Sequence, residues 1–247
     1  MLPGKRALVT GGTRGLGAAI AAALRREGAD VVVAARSAPE GSHDRYVAAD
    51  LTTPEGIDFL AHRVIDELGG LDILVSNAGG QTRRPQGIMA FTDADWDRDM
   101  AINLYAAVRL DRALVPHMIA CGGGSIIHVS SLAASVPRPA SIAYSASKAA
   151  LNSYSKGLAN ELAGHGIRVN TVSPGLIRTP ATDVVAHERG VEPEAFVAQT
   201  VQAMQIPLGR AGTPEELAAL VVFLVSPQAS YLTGGLYPVD GGSTQYR

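Results

Sequence analysis

Cysteine is nearly absent: Cys121 is the single one in 247 residues, so no internal disulfide can form. Charge of one sign is also lacking, since 21 Lys and Arg stand against 23 Asp and Glu for a formal net charge of −2. No Lys/Arg cluster is large enough to neutralise a phosphate backbone, so nucleic acid is not an expected partner. No apolar run approaches the roughly 18 residues that a membrane span needs. The strongest, "LAALVVFLVS", is flanked by Glu215, Glu216 and Pro227, so a soluble protein is expected. The start, "MLPGKRALVT", enters a strand pattern without the apolar stretch of a signal peptide, and a reducing, cytoplasmic setting is expected. Six histidines are scattered without metal-ligand spacing, and Cys121 opens a "CGGG" turn with no signature of a nucleophile. No metal is expected.

What is present is an ordinary globular mix, 47% hydrophobic and 18% charged, with no repeat, low-complexity tail or linker that would divide it. One domain over 1–247 is expected. Short β-branched runs at 6–10, 30–35, 45–49, 71–76, 124–130, 167–172 and 236–239 read as seven strands. Helix-period segments lie between most of them, at 15–27, 55–68, 93–120, 143–163 and 214–225. Strands apolar on both faces and separated by helical crossovers require a parallel sheet covered on both sides. The expected fold is a doubly wound α/β sheet. Two places break the rhythm. "RSAPEGSHD", after the second strand, is too short and too rich in Pro, Gly and Ser for a crossover helix and reads as a loop. From about 176 to 212 there is no strand, only helix-like pieces at 181–189 and 193–204 between prolines, and such an insertion reads as a lid.

After the first strand, "TGGTRGLG" places Gly11, Gly15 and Gly17 at the entrance to a helix. Glycines there let backbone N–H groups approach an anion, and a dinucleotide pyrophosphate is the natural guest; a tight turn that binds nothing is the alternative. Ala18 and Ala19 stand where a triphosphate-binding loop needs Lys-Ser/Thr. At the end of the second strand an NAD binder ordinarily carries a carboxylate for the ribose 2′-OH, but "VVVAARSAP" has none. Arg36 there and Arg14 in the glycine loop can converge on a 2′-phosphate, which favours NADP(H) over NAD(H); two solvated arginines are the alternative. In "AYSASKAA", Tyr144 and Lys148 share one helix face. A phenol beside an ammonium is either an acid/base pair or a ring over a solvated Lys stem, and the pair alone does not decide.

Taken together, "TGGTRGLG", "SNAGG" (76–80), Asn103 in "INLYAA", "HVSSLAA" (128–134), "YSASK" (144–148) and "SPGLIRTP" (173–180) resemble the short-chain dehydrogenase/reductase family nearly end to end. The resemblance implies a Rossmann fold and a catalytic tetrad of Asn103, Ser131, Tyr144 and Lys148, with Ser131 rather than Ser130 holding the substrate oxygen. It implies that the Tyr144 phenol is the acid in carbonyl reduction and the base in alcohol oxidation. A free Tyr titrates near 10, so phenolate chemistry near neutrality needs roughly 4 kcal/mol of help, much of which Lys148, with the positive nicotinamide ring of the oxidised cofactor, is expected to supply. The resemblance also gives Lys148 the ribose hydroxyls and Asn103 a proton-relaying water. Cofactor contacts implied are Gly11, Thr13, Arg14, Gly15, Leu16 and Gly17 at the phosphates, with Arg36 and Ser37 at the 2′-phosphate. Asp50 and Leu51 are implied at the adenine, Asn77, Ala78 and Gly79 along the ribose, and Pro174, Gly175, Ile177 and Thr179 at the nicotinamide carboxamide. The family carries a full helix between its second and third strands that this chain lacks.

The expected reaction is reduction of a small-molecule ketone or aldehyde by NADPH. Oxidation of a secondary alcohol or dihydrodiol with NAD is the alternative, and a dinucleotide-binding regulator without turnover is the alternative from another class. Arg83, Arg84 and Arg138 lie in loops that should border the substrate, where one could grip a carboxylate or phosphate. Helices at 93–120 and 143–163 and the end "LYPVDGGST" resemble the family's two subunit interfaces, so a homotetramer is expected, with a dimer as the alternative.

Overall fold

The computed structural model describes residues 1–37 and 45–244. Its centre is one parallel sheet of seven strands: β1 (Arg6–Thr10), β2 (Asp30–Ala35), β3 (Tyr46–Ala48), β4 (Ile73–Ser76), β5 (Gly124–Val129), β6 (Ile167–Pro174) and β7 (Leu236–Val239). The order across the sheet is β3-β2-β1-β4-β5-β6-β7, so the chain reverses its direction of winding between β1 and β4. In such sheets ligands bind in the crevice at the carboxyl ends of the strands where that reversal falls. All seven expected strands are found, within one or two residues of their expected ends. Of the loop expected over "RSAPEGSHD", residues 38–44 lie outside the described residues.

Two apolar layers explain why the strands are apolar on both faces. On one side, Ile20, Ala21 and Leu24 of α1 (Gly15–Arg26) pack with Leu217, Val221 and Leu224 of α8 (Pro214–Val225). On the other, Ile57, Leu60 and Val64 of α2 (Pro54–Leu68) meet Leu110, Leu114 and Met118 of α4 (Ala106–Ala120) and Leu158 and Leu162 of α5 (Ile142–Leu162). Each fully buried aliphatic side chain of this kind stabilises the fold by about 1.5–3 kcal/mol. Helix starts are fixed locally: Thr53 caps α2 by accepting from the Gly56 N–H, and Thr213 and Glu216 cap α8 reciprocally behind Pro214.

The expected single helix over 93–120 is corrected by the structure. It is α3 (Asp93–Met100), a wider π-type turn over Ala101–Tyr105, and then α4. The cause is Asn103, whose Nδ2 donates to the Asp99 carbonyl at 2.9 Å, the acceptor one turn back along the helix. The amide also reaches out of the helix to Gly80, with Oδ1 accepting from the Gly80 N–H and Nδ2 donating to the Gly80 carbonyl, so the ladder opens where a side chain is drawn into it. The expected lid contains α6 (Pro180–Glu188) and α7 (Pro193–Ala203), each opened by a proline at its first turn. No helix among the described residues is long and apolar enough to cross a membrane.

Candidate active site

The crevice at the winding reversal is built by β1, β4 and the turns that follow them. Thr10 closes it from below: its Oγ1 accepts from the Asn77 and Ala78 N–H groups at 3.0 Å each. Asn77 Nδ2 returns a bond of 2.9 Å to the Thr10 carbonyl. Above them runs the glycine turn. Gly11 and Gly15 have φ of +65° and +55°, a region that favours glycine. Gly17 is held by space: a Cβ there would stand 2.2 Å from the Gly11 carbonyl oxygen. The start of α1 has no side-chain cap, and Arg14 stands at the capping position with no ion pair among the described residues. A turn of this shape, opening a helix without a side-chain cap and with a cation beside it, fits a pyrophosphate.

Arg36 leaves the end of β2 exposed and also makes no ion pair among the described residues. Its charge reaches Asp50, whose carboxyl lies below its ordinary range. The larger causes of that shift are the Thr52 N–H and hydroxyl, both of which donate to Asp50 Oδ1. Leu51 is buried beside it. The Asn77, Ala78 and Gly79 segment continues toward Lys148, since a Cβ on Gly79 would lie 3.5 Å from Lys148 Nζ and 2.9 Å from Asn103 Oδ1. On the far side, Gly175 is pressed against Asp240, and its N–H donates to the Val239 carbonyl at 2.9 Å. Thr179 packs 3.7 Å from the Cβ position of Gly15, which brings the turn after β6 onto the glycine loop.

Four side chains meet at the end of β5. Ser131 Oγ accepts from the Ala133 N–H at 3.1 Å, and its hydroxyl faces the half-buried Tyr144 phenol. Ser130 turns the other way and donates to the Lys148 carbonyl at 3.4 Å, which leaves Ser131 as the serine at the phenol. Lys148 is 4% exposed, donates to the Val129 carbonyl at 2.8 Å, and lies 6.0 Å from the centre of the Tyr144 ring. Burial lowers its pKa to about 8. Tyr144 is pushed upward, by burial first and by the Asp99 charge in addition, against the opposing bond from Ser131. In the protein without cofactor, burial thus acts on both groups in the direction of their neutral forms. Asn103 is committed to Gly80 on both ends of its amide, at 3.1 and 2.8 Å.

Asp99 has no counterpart among the expected residues. It is buried and accepts from the Thr82 hydroxyl and N–H at 2.8 and 3.1 Å, and burial raises its pKa. Its signal in the sequence is a carboxylate four residues before Asn103, on the same helix face. Because its charge opposes phenolate, Asp99→Asn should shift the rising limb of the pH profile for alcohol oxidation to lower pH. Asn keeps an acceptor for Thr82. An unmoved limb would remove Asp99 from any influence on Tyr144. Of the three loop arginines, Arg84 is not free for substrate, since it makes a two-bond pair with Asp95 at 2.7 and 3.1 Å. Among the described residues no group of three or more His, Cys, Asp or Glu is placed to hold a metal.

A doubly wound parallel sheet with a phosphate-accepting glycine turn and a Ser–Tyr–Lys cluster at its carboxyl edge defines a Rossmann-type oxidoreductase. Comparison with known proteins agrees. Residues 11–244 match the family model described as enoyl-(acyl carrier protein) reductase. The 3-oxoacyl-(acyl-carrier-protein) reductase FabG of Vibrio cholerae serotype O1 is 37% identical over 98% of this chain and 98% of its own length. Gluconate 5-dehydrogenase of Gluconobacter oxydans is 35% identical over 98% and 96%. The structure of L-sorbose reductase from Gluconobacter frateurii, solved with NADPH and L-sorbose, superimposes with a TM-score of 0.92 at 38% identity, covering 100% of this chain and 98% of its own. The chain belongs to the short-chain dehydrogenase/reductase family.

Proposed function

We propose that this chain moves hydride reversibly between NADP(H) and the carbonyl carbon of a ketone or aldehyde, with Tyr144 as general acid in reduction. The observation that carries the reading is the meeting of Ser131, Tyr144, Lys148 and Asn103 beside a glycine turn flanked by Arg14 and Arg36, which make no ion pair among the described residues. Gly11, Thr13, Gly15, Leu16, Gly17 and the start of α1 would hold the pyrophosphate, and Arg14, Arg36 and Ser37 the 2′-phosphate. Asp50 and Leu51 would border the adenine, Asn77, Ala78 and Gly79 the ribose, and Pro174, Gly175, Ile177 and Thr179 the nicotinamide. Bound NADPH supplies the hydride. Ser131 donates to the substrate oxygen and orients it, and Tyr144 gives that oxygen its proton as negative charge grows there. A protonated phenol is the form that reduction requires. Lys148, with its pKa near 8, stabilises the phenolate left behind and can hand on a proton to reload it. Asn103 fixes Gly80 and so positions the segment that borders both cofactor and substrate.

Residues 176–212 act in this reading as a lid. They leave and rejoin the body at one place, where the Arg178 N–H donates to the Gly212 carbonyl and the Gly212 N–H to Leu176, both at 2.9 Å. The test is initial velocity with NADPH and with NADH over ketones, aldehydes, β-keto thioesters and keto sugars. Faster oxidation of NADPH by at least one carbonyl class is expected. NADPH binding with no turnover of any class would replace this reading with that of a dinucleotide-binding regulator.

A further inference from the structure

Five arginines lie on the segments that follow the strands at the sheet's carboxyl edge: Arg83 and Arg84 after β4, Arg138 after β5, and Arg178 and Arg189 at the two ends of α6. Two of them are neutralised. Arg84 pairs with Asp95, and Arg178 reaches Glu194 at 2.7 Å and Asp183 at 3.6 Å. Arg83, Arg138 and Arg189 make no ion pair among the described residues, although they come from three separate segments. Their convergence follows from the backbone. The Arg84 N–H donates to the Ala140 carbonyl at 2.8 Å, which lays the loop after β4 along the loop after β5 and makes Arg83 and Arg138 neighbours. Helix α6 is capped by Thr179, against the glycine turn, and closes at Arg189, whose charge together with that of Arg138 acts on Arg83. The Arg189 guanidinium rests 5.2 Å from the centre of the Phe196 ring of α7 and is held in place there.

We propose that Arg83, Arg138 and Arg189 form a subsite on the lid side of the cleft for an anionic group, a carboxylate or a phosphate, carried by a small-molecule carbonyl substrate. Three guanidiniums gathered with a single carboxylate, Glu188, acting against their mutual charge repel one another, and an anion that bridges them relieves that repulsion. The cost of the gathering is visible at Arg83, which is lowered by desolvation and then by the charges of Arg189 and Arg138, with Glu188 alone opposing. Arg84 and Arg178, close by, show that acidic partners are present where an arginine only ties elements together. The segments concerned also carry the candidate chemistry: Arg138 lies between Ser131 and Tyr144, and Arg83 follows Gly79 and Gly80. A substrate whose carbonyl meets Tyr144 therefore presents its other end to the three arginines. This inference rests on the proposed carbonyl reduction and names the substrate class for it.

The test compares matched neutral and anionic carbonyl compounds with NADPH: methyl levulinate against levulinate, and dihydroxyacetone or D-fructose against their phosphates. In at least one pair the anionic member should be preferred about tenfold or more in kcat/KM, through KM. Arg83→Gln, Arg138→Gln and Arg189→Gln should each reduce that ratio, and the triple variant should abolish it. The carboxylate and phosphate pairs distinguish the two anions. Calorimetric titration of the NADPH-loaded protein with inorganic phosphate gives a readout independent of turnover. With the cofactor's own phosphate positions filled, binding should be seen in the wild type and lost in the triple variant. Equal use of both members of every pair, an unchanged ratio in the triple variant, or equal phosphate binding by wild type and variant would each overturn the subsite while leaving carbonyl reduction standing. Failure of the reaction itself would instead appear as no carbonyl turnover of any kind.

Discussion

Tyr144→Phe should lower kcat for carbonyl reduction about 10²- to 10⁴-fold while NADPH still binds, the range expected for loss of a positioned general acid. The change removes one oxygen and keeps the ring that packs among the surrounding residues. Lys148 keeps its bond to the Val129 carbonyl, which does not involve the phenol, so the fold should survive. What is lost is the proton donor facing Ser131. Serine can orient an oxygen but has no low-energy conjugate base, so it does not substitute for Tyr144. The pH profile supplies a second check. With the Lys148 pKa near 8, the ammonium is present below that value, and reduction should fall away above it as Lys148 loses its proton. The sign for stability is opposite. The unfolded chain binds this proton more tightly, so burial of the cation costs stability below about pH 8, and the cost is relieved as pH rises toward the ordinary 10.5. Near wild-type turnover in Tyr144→Phe would falsify its role as the acid.

Much of this fold can be read before any coordinates because its strands announce themselves. "RALVT", "DVVVAA" and "GSIIHVS" are apolar in consecutive positions, which only a sheet covered on both faces tolerates. Helix starts are similarly visible at Thr53-Pro54 and Thr213-Pro214, where the cap and the proline are adjacent in sequence. The opened turn at 101–105 is not visible in this way. Apolar periodicity runs straight through it, and the reason for it is a tertiary bond from Asn103 to Gly80. The order of motifs likewise names Ser131, Tyr144 and Lys148 but not the state of their protons, because burial and Asp99 act from elements distant in sequence. The mouth arginines show the same limit. Arg84 and Arg83 are adjacent in the chain, yet one is neutralised by Asp95 and the other faces Arg138 and Arg189, a division that depends on where α3 and α6 pack.

Replacing Arg36 by alanine, and separately Arg14, should weaken NADPH binding by about 10- to 100-fold each, the equivalent of one or two charge-assisted contacts at about 1.5–3 kcal/mol. NADH binding should change by less than about threefold, because without the 2′-phosphate neither guanidinium has a partner to lose. The contrast between the two cofactors is the informative quantity. A general loss of structure, or loss of a contact to the shared pyrophosphate, would weaken both equally. Both side chains make no ion pair among the described residues, and the described carboxylate on which the Arg36 charge acts is Asp50. That group is already held by two bonds from Thr52 and should stay ionised without Arg36. Its uncompensated charge would then add repulsion to the lost attraction, which predicts a larger loss of NADPH affinity for Arg36→Ala than for Arg14→Ala. Asp50→Asn in the Arg36→Ala background should recover part of the difference. Fluorescence titration at fixed ionic strength measures all of these constants. Equal loss for NADPH and NADH in both variants would move the arginines from the 2′-phosphate to the pyrophosphate and leave the cofactor preference to other residues.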